Sequence, residues 1–272
     1  MTNPSGLSLL TFNIGNPSLE RARHQLAWLA DRPEQVLVLT GTKLSDGCRL
    51  LADAFGAAGY RVIHTWPEPG EYGAMIASRV EAVPDAFPDR VGYLPARAAA
   101  VVLPTPTGPL RLIGLYTPSR DASPVKTERK QKWLAACDTA LAGGQQLATV
   151  LLGDLNILEP DHRPHYPFFA PFEYDFYRAL VGEHHLVDAF RLLHPTADAY
   201  SWVGRTGDGY RYDHALCSAS LRSRITDCHY VDEPRTIRLS DHSALTLTLA
   251  VPAFPVHEVT DPRGPAEPDT RF

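Results

Sequence analysis

The sequence predicts a mixed α/β protein in which packed sheets carry helices on their outer sides. Two patterns point that way: short apolar runs of strand character outnumber amphipathic helical segments, and the helices are scattered among the strands. Size agrees, since 272 residues with 44% apolar side chains bury a sizeable core without disulfide or metal staples.

Leu7 to Phe12 reads as the first strand. Ser18 then offers an N-cap to a helix whose Leu19, Ala22, Leu26 and Leu29 share one face. Val36 to Leu39 is a continuous apolar run and predicts a strand buried on both faces. A helix from about Cys48 to Ala58 stops at Gly59. Strands follow at Arg61 to His64, Ala74 to Ser78, Ala98 to Leu103 and Leu110 to Tyr116, the last two joined as a hairpin by Pro104 to Gly108. A third helix covers about Val125 to Leu141, and Ala148 to Leu152 is a strand ending at Gly153-Asp154. Glu159 to Phe172 is rich in Pro and aromatics and reads as an ordered surface loop, with a helix near Tyr174 to Val181 after it. Tyr212 to Cys217, Asp227 to Val231 and Leu245 to Val251 are the last strands. Pro252 to Phe272 holds five prolines and no apolar periodicity, which predicts a mostly disordered tail after a single domain over 1–251.

Composition excludes several function classes. The 26 Lys and Arg stand against 31 Asp and Glu, a net charge of −5, so nothing global announces a polyanion-binding protein. Only four cations are Lys, which leaves 22 Arg. The four cysteines form no C-x-x-C pair, and no apolar run approaches the roughly 20 residues of a membrane span. A cytoplasmic, monomeric protein with no membrane partner is the expectation.

Polar residues placed directly after buried strands are the candidates for chemistry, because a sheet edge gathers side chains from distant sequence. Asn13, Thr40 to Lys43, Tyr116, and Asp154 with Asn156 all follow apolar strands, while Asp213 opens one and Ser240-Asp241-His242 precedes another. No zinc spacing, Walker loop, G-x-G-x-x-G or G-x-S-x-G elbow is present. Carboxylates and amides are hard oxygen donors suited to Mg²⁺, Mn²⁺ or Ca²⁺. A hard cation beside a His oriented by an Asp is equipment for water attack on a phosphate ester. Lys126, Arg129, Lys130 and Lys132 begin a helix and read equally as a phosphate-contacting or a solvated face. His162 and His165 read as Pro-rich surface structure, not as a metal loop.

Taken in order, Thr11-Phe-Asn-Ile14, Thr42-Lys43, Tyr72-Gly73, Leu115-Tyr-Thr-Pro118, Gly153-Asp-Leu-Asn156, Ser201-Trp202, Arg211-Tyr-Asp213 and Ser240-Asp-His242 resemble the endonuclease/exonuclease/phosphatase superfamily. Within it the chain is most similar to exonuclease III and the apurinic endonucleases. The resemblance implies a four-layered α-β-β-α sandwich of the DNase I-like type, with one site at an end of the sandwich. It implies that Asp154 orients or deprotonates the attacking water, that Asn156 holds the phosphate, and that His242, paired with Asp213, binds a phosphate oxygen. Asn13 and Asp241 would belong to a Mg²⁺ or Mn²⁺ shell, and Tyr116 would sit against the scissile phosphate. Trp202 matches the aromatic that packs on an abasic sugar in repair members, and Lys43 and Arg120 would contact substrate. The implied substrate is DNA, with a smaller phosphate ester or a non-catalytic binding role as alternatives.

One position departs from the resemblance. The family's metal-binding glutamate precedes Thr-Lys, and here that place is Gly41. Three readings stand: a Glu-to-Gly change, a member that uses water or Asp46 instead, or a member that binds without cutting. On sequence grounds, restoring glutamate at 41 should raise Mg²⁺-dependent hydrolysis at least tenfold, since even ligand-supporting residues are worth roughly 10- to 100-fold.

Overall fold

A computed structural model describes residues 6–144, 146–251 and 255–264. Its strands in chain order begin with β1 (Leu7–Asn13), β2 (Val36–Thr42), β3 (Arg61–His64), β4 (Gly73–Ser78) and β5 (Val83–Pro84). Then come β6 (Ala98–Leu103), β7 (Leu110–Tyr116), β8 (Ala148–Asp154) and β9 (Leu186–Asp188). A short hairpin, β10 (Trp202–Val203) and β11 (Gly209–Tyr210), precedes β12 (Asp213–Ser218), β13 (Ile225–Val231) and β14 (Ala244–Leu249). The helices are α1 (Leu19–Ala30), α2 (Asp46–Ala57), α3 (Phe87–Val91), α4 (Pro124–Ala142), α5 (Pro171–Gly182), α6 (Ala189–Leu193) and α7 (Glu233–Thr236).

Two six-stranded mixed sheets stack face to face, ordered β13-β14-β1-β2-β4-β3 and β5-β6-β7-β8-β12-β9. The period-two alternation of each central strand explains the layering. In β1 and β2, Leu7, Leu9, Val36 and Val38 point between the sheets, where they meet Val101, Leu112, Val150, Leu152 and Ala215. The intervening Leu10, Phe12, Leu37 and Leu39 face outward against Ala22, Leu26 and Leu29 of α1 and Leu51 and Phe55 of α2. On the second sheet Ile113, Leu151 and Leu216 face outward against Trp133 and Leu134 of α4 and Phe176 and Leu180 of α5. Strands buried on both faces read as continuous apolar runs, which is why β2 shows no polar alternation.

Ser18 caps α1 as its sequence implies, accepting the Arg21 N–H, but Leu19 lies 41% exposed and Gln25 takes its place on the buried face. The short elements β5, α3, β9, α6, β10, β11 and α7 carry too few residues for a periodic signal. The expected disordered tail is different over 255–264: Val256 bridges Val80, the His257 amide donates to Arg79 O at 2.7 Å, and Thr260 donates to Ala58 O at 2.9 Å. The rest of that tail, 252–254 and 265–272, lies outside the described residues. Among the described residues no helix is long and apolar enough to cross a membrane.

Candidate active site

Register brings the candidate residues together. Strands β1 and β2 run parallel, as do β7 and β8, so Asn13, Tyr116 and Asp154 stand at strand ends, and Tyr116, Asp154 and Asp213 are direct partners in one row across β7, β8 and β12. The glycine before Asp154 is required by that packing: at φ +145°, a Cβ on Gly153 would lie 2.0 Å from Leu115 O. An isolated bridge between Trp202 and His242 closes the same end.

Hydrogen bonds then fix the side chains. Asp154 Oδ2 accepts from Asn13 Nδ2 at 2.8 Å, and Asp154 Oδ1 accepts from the Asn156 amide at 2.9 Å. His242 Nδ1 lies 2.8 Å from Asp213 Oδ2, which leaves Nε2 facing Asp154 Oδ2 at 3.9 Å and Asn13 Nδ2 at 3.5 Å. Ser201 explains the Ser-Trp motif: its Oγ accepts the Tyr212 and Asp213 amides at 3.0 Å each and so fixes the start of β12. Ser240 does the same between strands, donating to Asn13 O at 2.6 Å and accepting the His242 amide at 3.2 Å.

The electrostatics follow from burying two carboxylates beside one imidazole. Burial and the neighbouring Asp213 charge push the Asp154 carboxyl up to about 7, against the pull of His242. For His242, burial opposes the charged ring, but the Asp213 carboxylate, with Asp154 and Asp241 behind it, outweighs that and lifts its pKa to about 9. Tyr116 is raised well above the ordinary phenol range by burial and by Asp154. The site therefore presents, near neutral pH, a proton acceptor, a charged imidazole and a neutral phenol.

These groups line a cleft of about 910 Å³ together with Asn13, Asn156, Trp202 and Asp241. Asp241 is exposed and accepts the Trp202 indole N–H at 3.0 Å, outside the buried cluster. Lys43 does not line the cleft; its ammonium stands 4.0 Å over the Tyr72 ring, which does. Arg120 lines it, and its Nε and Nη2 donate to Glu173 at 3.1 and 2.6 Å, with Nη2 also donating to Phe168 O at 2.7 Å, which ties it to the aromatic loop. Asp46 is exposed at the start of α2 and is not among the residues that line the cleft.

Gly41 is more than a truncated glutamate. It sits at φ +72° where the β2–β4 register shifts between Thr40 and Thr42, and a Cβ there would lie 2.4 Å from Asn13 Oδ1. Asn13, whose Oδ1 also accepts the Gly15 amide at 2.9 Å, occupies the space that a side chain at 41 would need.

Lys130 is the residue that the sequence reading left undecided. Its ammonium is buried and donates to Glu173 Oε1 at 2.6 Å and to Asn156 O at 2.5 Å, holding Asn156 at its left-handed φ of 48°. The signal was available, because Lys130 falls three, four and seven residues before Trp133, Leu134 and Cys137 on the buried face of α4. His162 is structural: its ring meets Pro164 O at 3.0 Å and accepts the Arg211 amide at 3.3 Å.

Among the described residues, Asp154, Asp213 and His242 place their ligand atoms within 4.8 Å of one another. Asp213 Oδ1 is buried there with no hydrogen-bond partner. Two carboxylates, one with an orphaned oxygen, suit a hard divalent cation, although position 41 offers no donor.

The sequence matches the profile of the Endonuclease/Exonuclease/phosphatase family over residues 10–242. It is 27% identical over 180 residues to a DNA-(apurinic or apyrimidinic site) endonuclease of Arabidopsis thaliana, covering 53% of this chain and 49% of that protein. The chain thus aligns with about half the length of that relative. Among solved structures it is similar to the 3′ phosphatase NExo from Neisseria bound to product DNA hairpin, with a TM-score of 0.72, 25% identity, and coverage of 89% of this chain and 99% of that one. It shares the fold of an AP endonuclease from Archaeoglobus fulgidus at a TM-score of 0.73 and 23% identity, over 92% of this chain and 100% of that one. The expected four-layered DNase I-like sandwich is the one observed. With the profile spanning most of the sequence and both sheets in place, this chain belongs to the endonuclease/exonuclease/phosphatase family.

Proposed function

We propose that the chain is a divalent-metal-dependent phosphodiesterase that cuts DNA in the manner of a repair enzyme, with Mg²⁺ or Mn²⁺ as the cation. The observation that carries this reading is the convergence of Asp154, Asn13 and His242 in the lining of one cleft, with Asp213 hydrogen-bonded to His242 Nδ1. Asp154 orients the attacking water by accepting its hydrogen bond and, held by Asn13 Nδ2 and the Asn156 amide, is placed to take its proton. As the water oxygen bonds to phosphorus, the ester P–O bond breaks, and the departing alkoxide takes its proton from solvent. His242 donates Nε2–H to a non-bridging phosphate oxygen, while Asp213 fixes the tautomer through Nδ1. Asn156 spends one amide hydrogen on Thr117 O at 3.0 Å and keeps the second for the phosphate. Asp154 and Asp213 would hold the cation, which supplies charge neutralisation at the phosphate.

A panel of abasic duplex, single-stranded DNA and small phosphomonoesters, run with Mg²⁺ and with Mn²⁺, tests the reading. Incision 5′ of the abasic site is the expected result. A second reading has its own support: Phe168, Phe169, Trp202 and Tyr212 line a cleft whose 910 Å³ falls within the roughly 300–1,000 Å³ of small-molecule sites. Hydrolysis of small esters alone would favour it, and DNA binding without product would favour a non-catalytic member.

A further inference from the structure

Five Arg and Lys cations line the cleft: Arg21, Arg120, Lys130, Arg235 and Arg238. Arg120 and Lys130 share one carboxylate, Glu173. Arg21 donates to the carbonyls of Gly15 and Asn16 at 2.7 and 3.2 Å, and Arg235 donates to Ser243 Oγ at 3.0 Å and Asp232 Oδ1 at 3.1 Å. Arg238 differs: it is exposed, and among the described residues its guanidinium has no hydrogen-bond or ion-pair partner.

Its backbone is also unusual. Arg238 sits at φ +62°, a left-handed conformation that side chains other than Asn and Asp avoid. The surrounding turn over-determines it, with Leu239 N donating to Pro234 O at 2.8 Å and Gln25 Nε2 donating to Leu239 O at 2.7 Å. A strained residue held beside a cleft, two positions before Ser240 and four before His242, is placed by its turn and not by its own contacts. A planar guanidinium with free donors matches a phosphate better than any other common anion of this cleft's chemistry.

We propose that Arg238 is a specificity-determining residue that binds the phosphate next to the scissile one, so that the enzyme favours a strand with successive phosphates over an isolated ester. The proposal rests on the reading of the chain as a DNA phosphodiesterase. Arg238→Asn keeps a residue that tolerates the left-handed turn, and Arg238→Lys keeps the charge without the fork. Each is assayed on an abasic duplex, on the same duplex with a neutral methylphosphonate on either side of the scissile phosphate, and on bis(p-nitrophenyl) phosphate, with urea midpoints confirming the fold.

Arg238→Asn should raise KM for the duplex about tenfold, a loss typical of one charge-assisted contact, with the loss in KM rather than kcat. The slope of log KM against log salt should fall by about one. The methylphosphonate on one side should cost the wild type the same factor and cost Arg238→Asn nothing further, and Arg238→Lys should recover part of the loss. If the wild type cuts the duplex but the variants share its KM and salt slope, or the two losses multiply, the proposal falls and the reading stands. If the wild type neither cuts nor binds any duplex, both fall.

Discussion

In Gly41→Glu the new Cβ would stand 2.4 Å from Asn13 Oδ1, in a backbone at φ +72°. The left-handed conformation alone costs an L residue about 1–2 kcal/mol. Relieving the overlap means moving the Asn13 carboxamide, which donates to Asp154 Oδ2 at 2.8 Å. Losing a hydrogen bond to a buried carboxylate is worth about 1.5–3 kcal/mol. We therefore expect Gly41→Glu to lose about 2.5–5 kcal/mol of stability, a large part of the 5–15 kcal/mol usual for a folded protein. Gly41→Ala carries the same clash without the carboxylate and should lose nearly as much. Activity should fall as well, since displacing a catalytic group by about 1 Å can cost on the order of 10²-fold. Urea unfolding gives the stability change, and incision of an abasic duplex with Mg²⁺ gives kcat/KM. Unchanged stability with turnover raised tenfold, the outcome that residue types alone favour, would show that the strand rearranges freely at 41 and would refute this reasoning.

Further outcomes follow from the same geometry. Asp213→Asn should lower kcat/KM at least about 10²-fold, because the imidazole loses the acceptor-only carboxylate that fixes its tautomer and supports its charge; an NMR pH titration in EDTA should show the His242 pKa falling from about 9 toward the ordinary value. Lys130→Met leaves Glu173 with Arg120 as its one cationic partner and frees Asn156 O, so urea unfolding should show a loss of about 2–4 kcal/mol and kcat should fall with it. The metal-free protein should lose stability as pH rises. His242, raised from 6.5 to about 9, contributes stability that is complete below 6.5 and lost through 9, and Asp154, raised from 3.8 to about 7, favours the folded state only while protonated. Tm in EDTA should therefore decline from pH 6 to pH 9, and saturating Mg²⁺ should reverse the decline.

Most strands were legible because the central ones are buried on both faces and read as unbroken apolar runs, as in Val36 to Leu39. The acidic and imidazole groups were legible as residues after those runs, and the register of β7, β8 and β12 places Tyr116, Asp154 and Asp213 in one row. Other parts could not be read this way. Whether a cation such as Arg120 or Lys130 faces substrate or a buried carboxylate depends on Glu173, which is separated from them by 53 and 43 residues. Gly41 reads in sequence as a missing ligand, while in three dimensions it is a left-handed bulge filled by Asn13. Arg238 stands out only through its φ and, among the described residues, its lack of side-chain partners.

The most direct test of hydrolysis at this cleft is single-turnover incision of an abasic duplex by the wild type and by Asp154→Asn, in Mg²⁺ and in EDTA. Cleavage by the wild type that EDTA abolishes and that Asp154→Asn slows by about 10³-fold or more, with duplex affinity retained, is the predicted result. An intact duplex with the wild type under every divalent cation, or equal rates from the two proteins, would contradict the account.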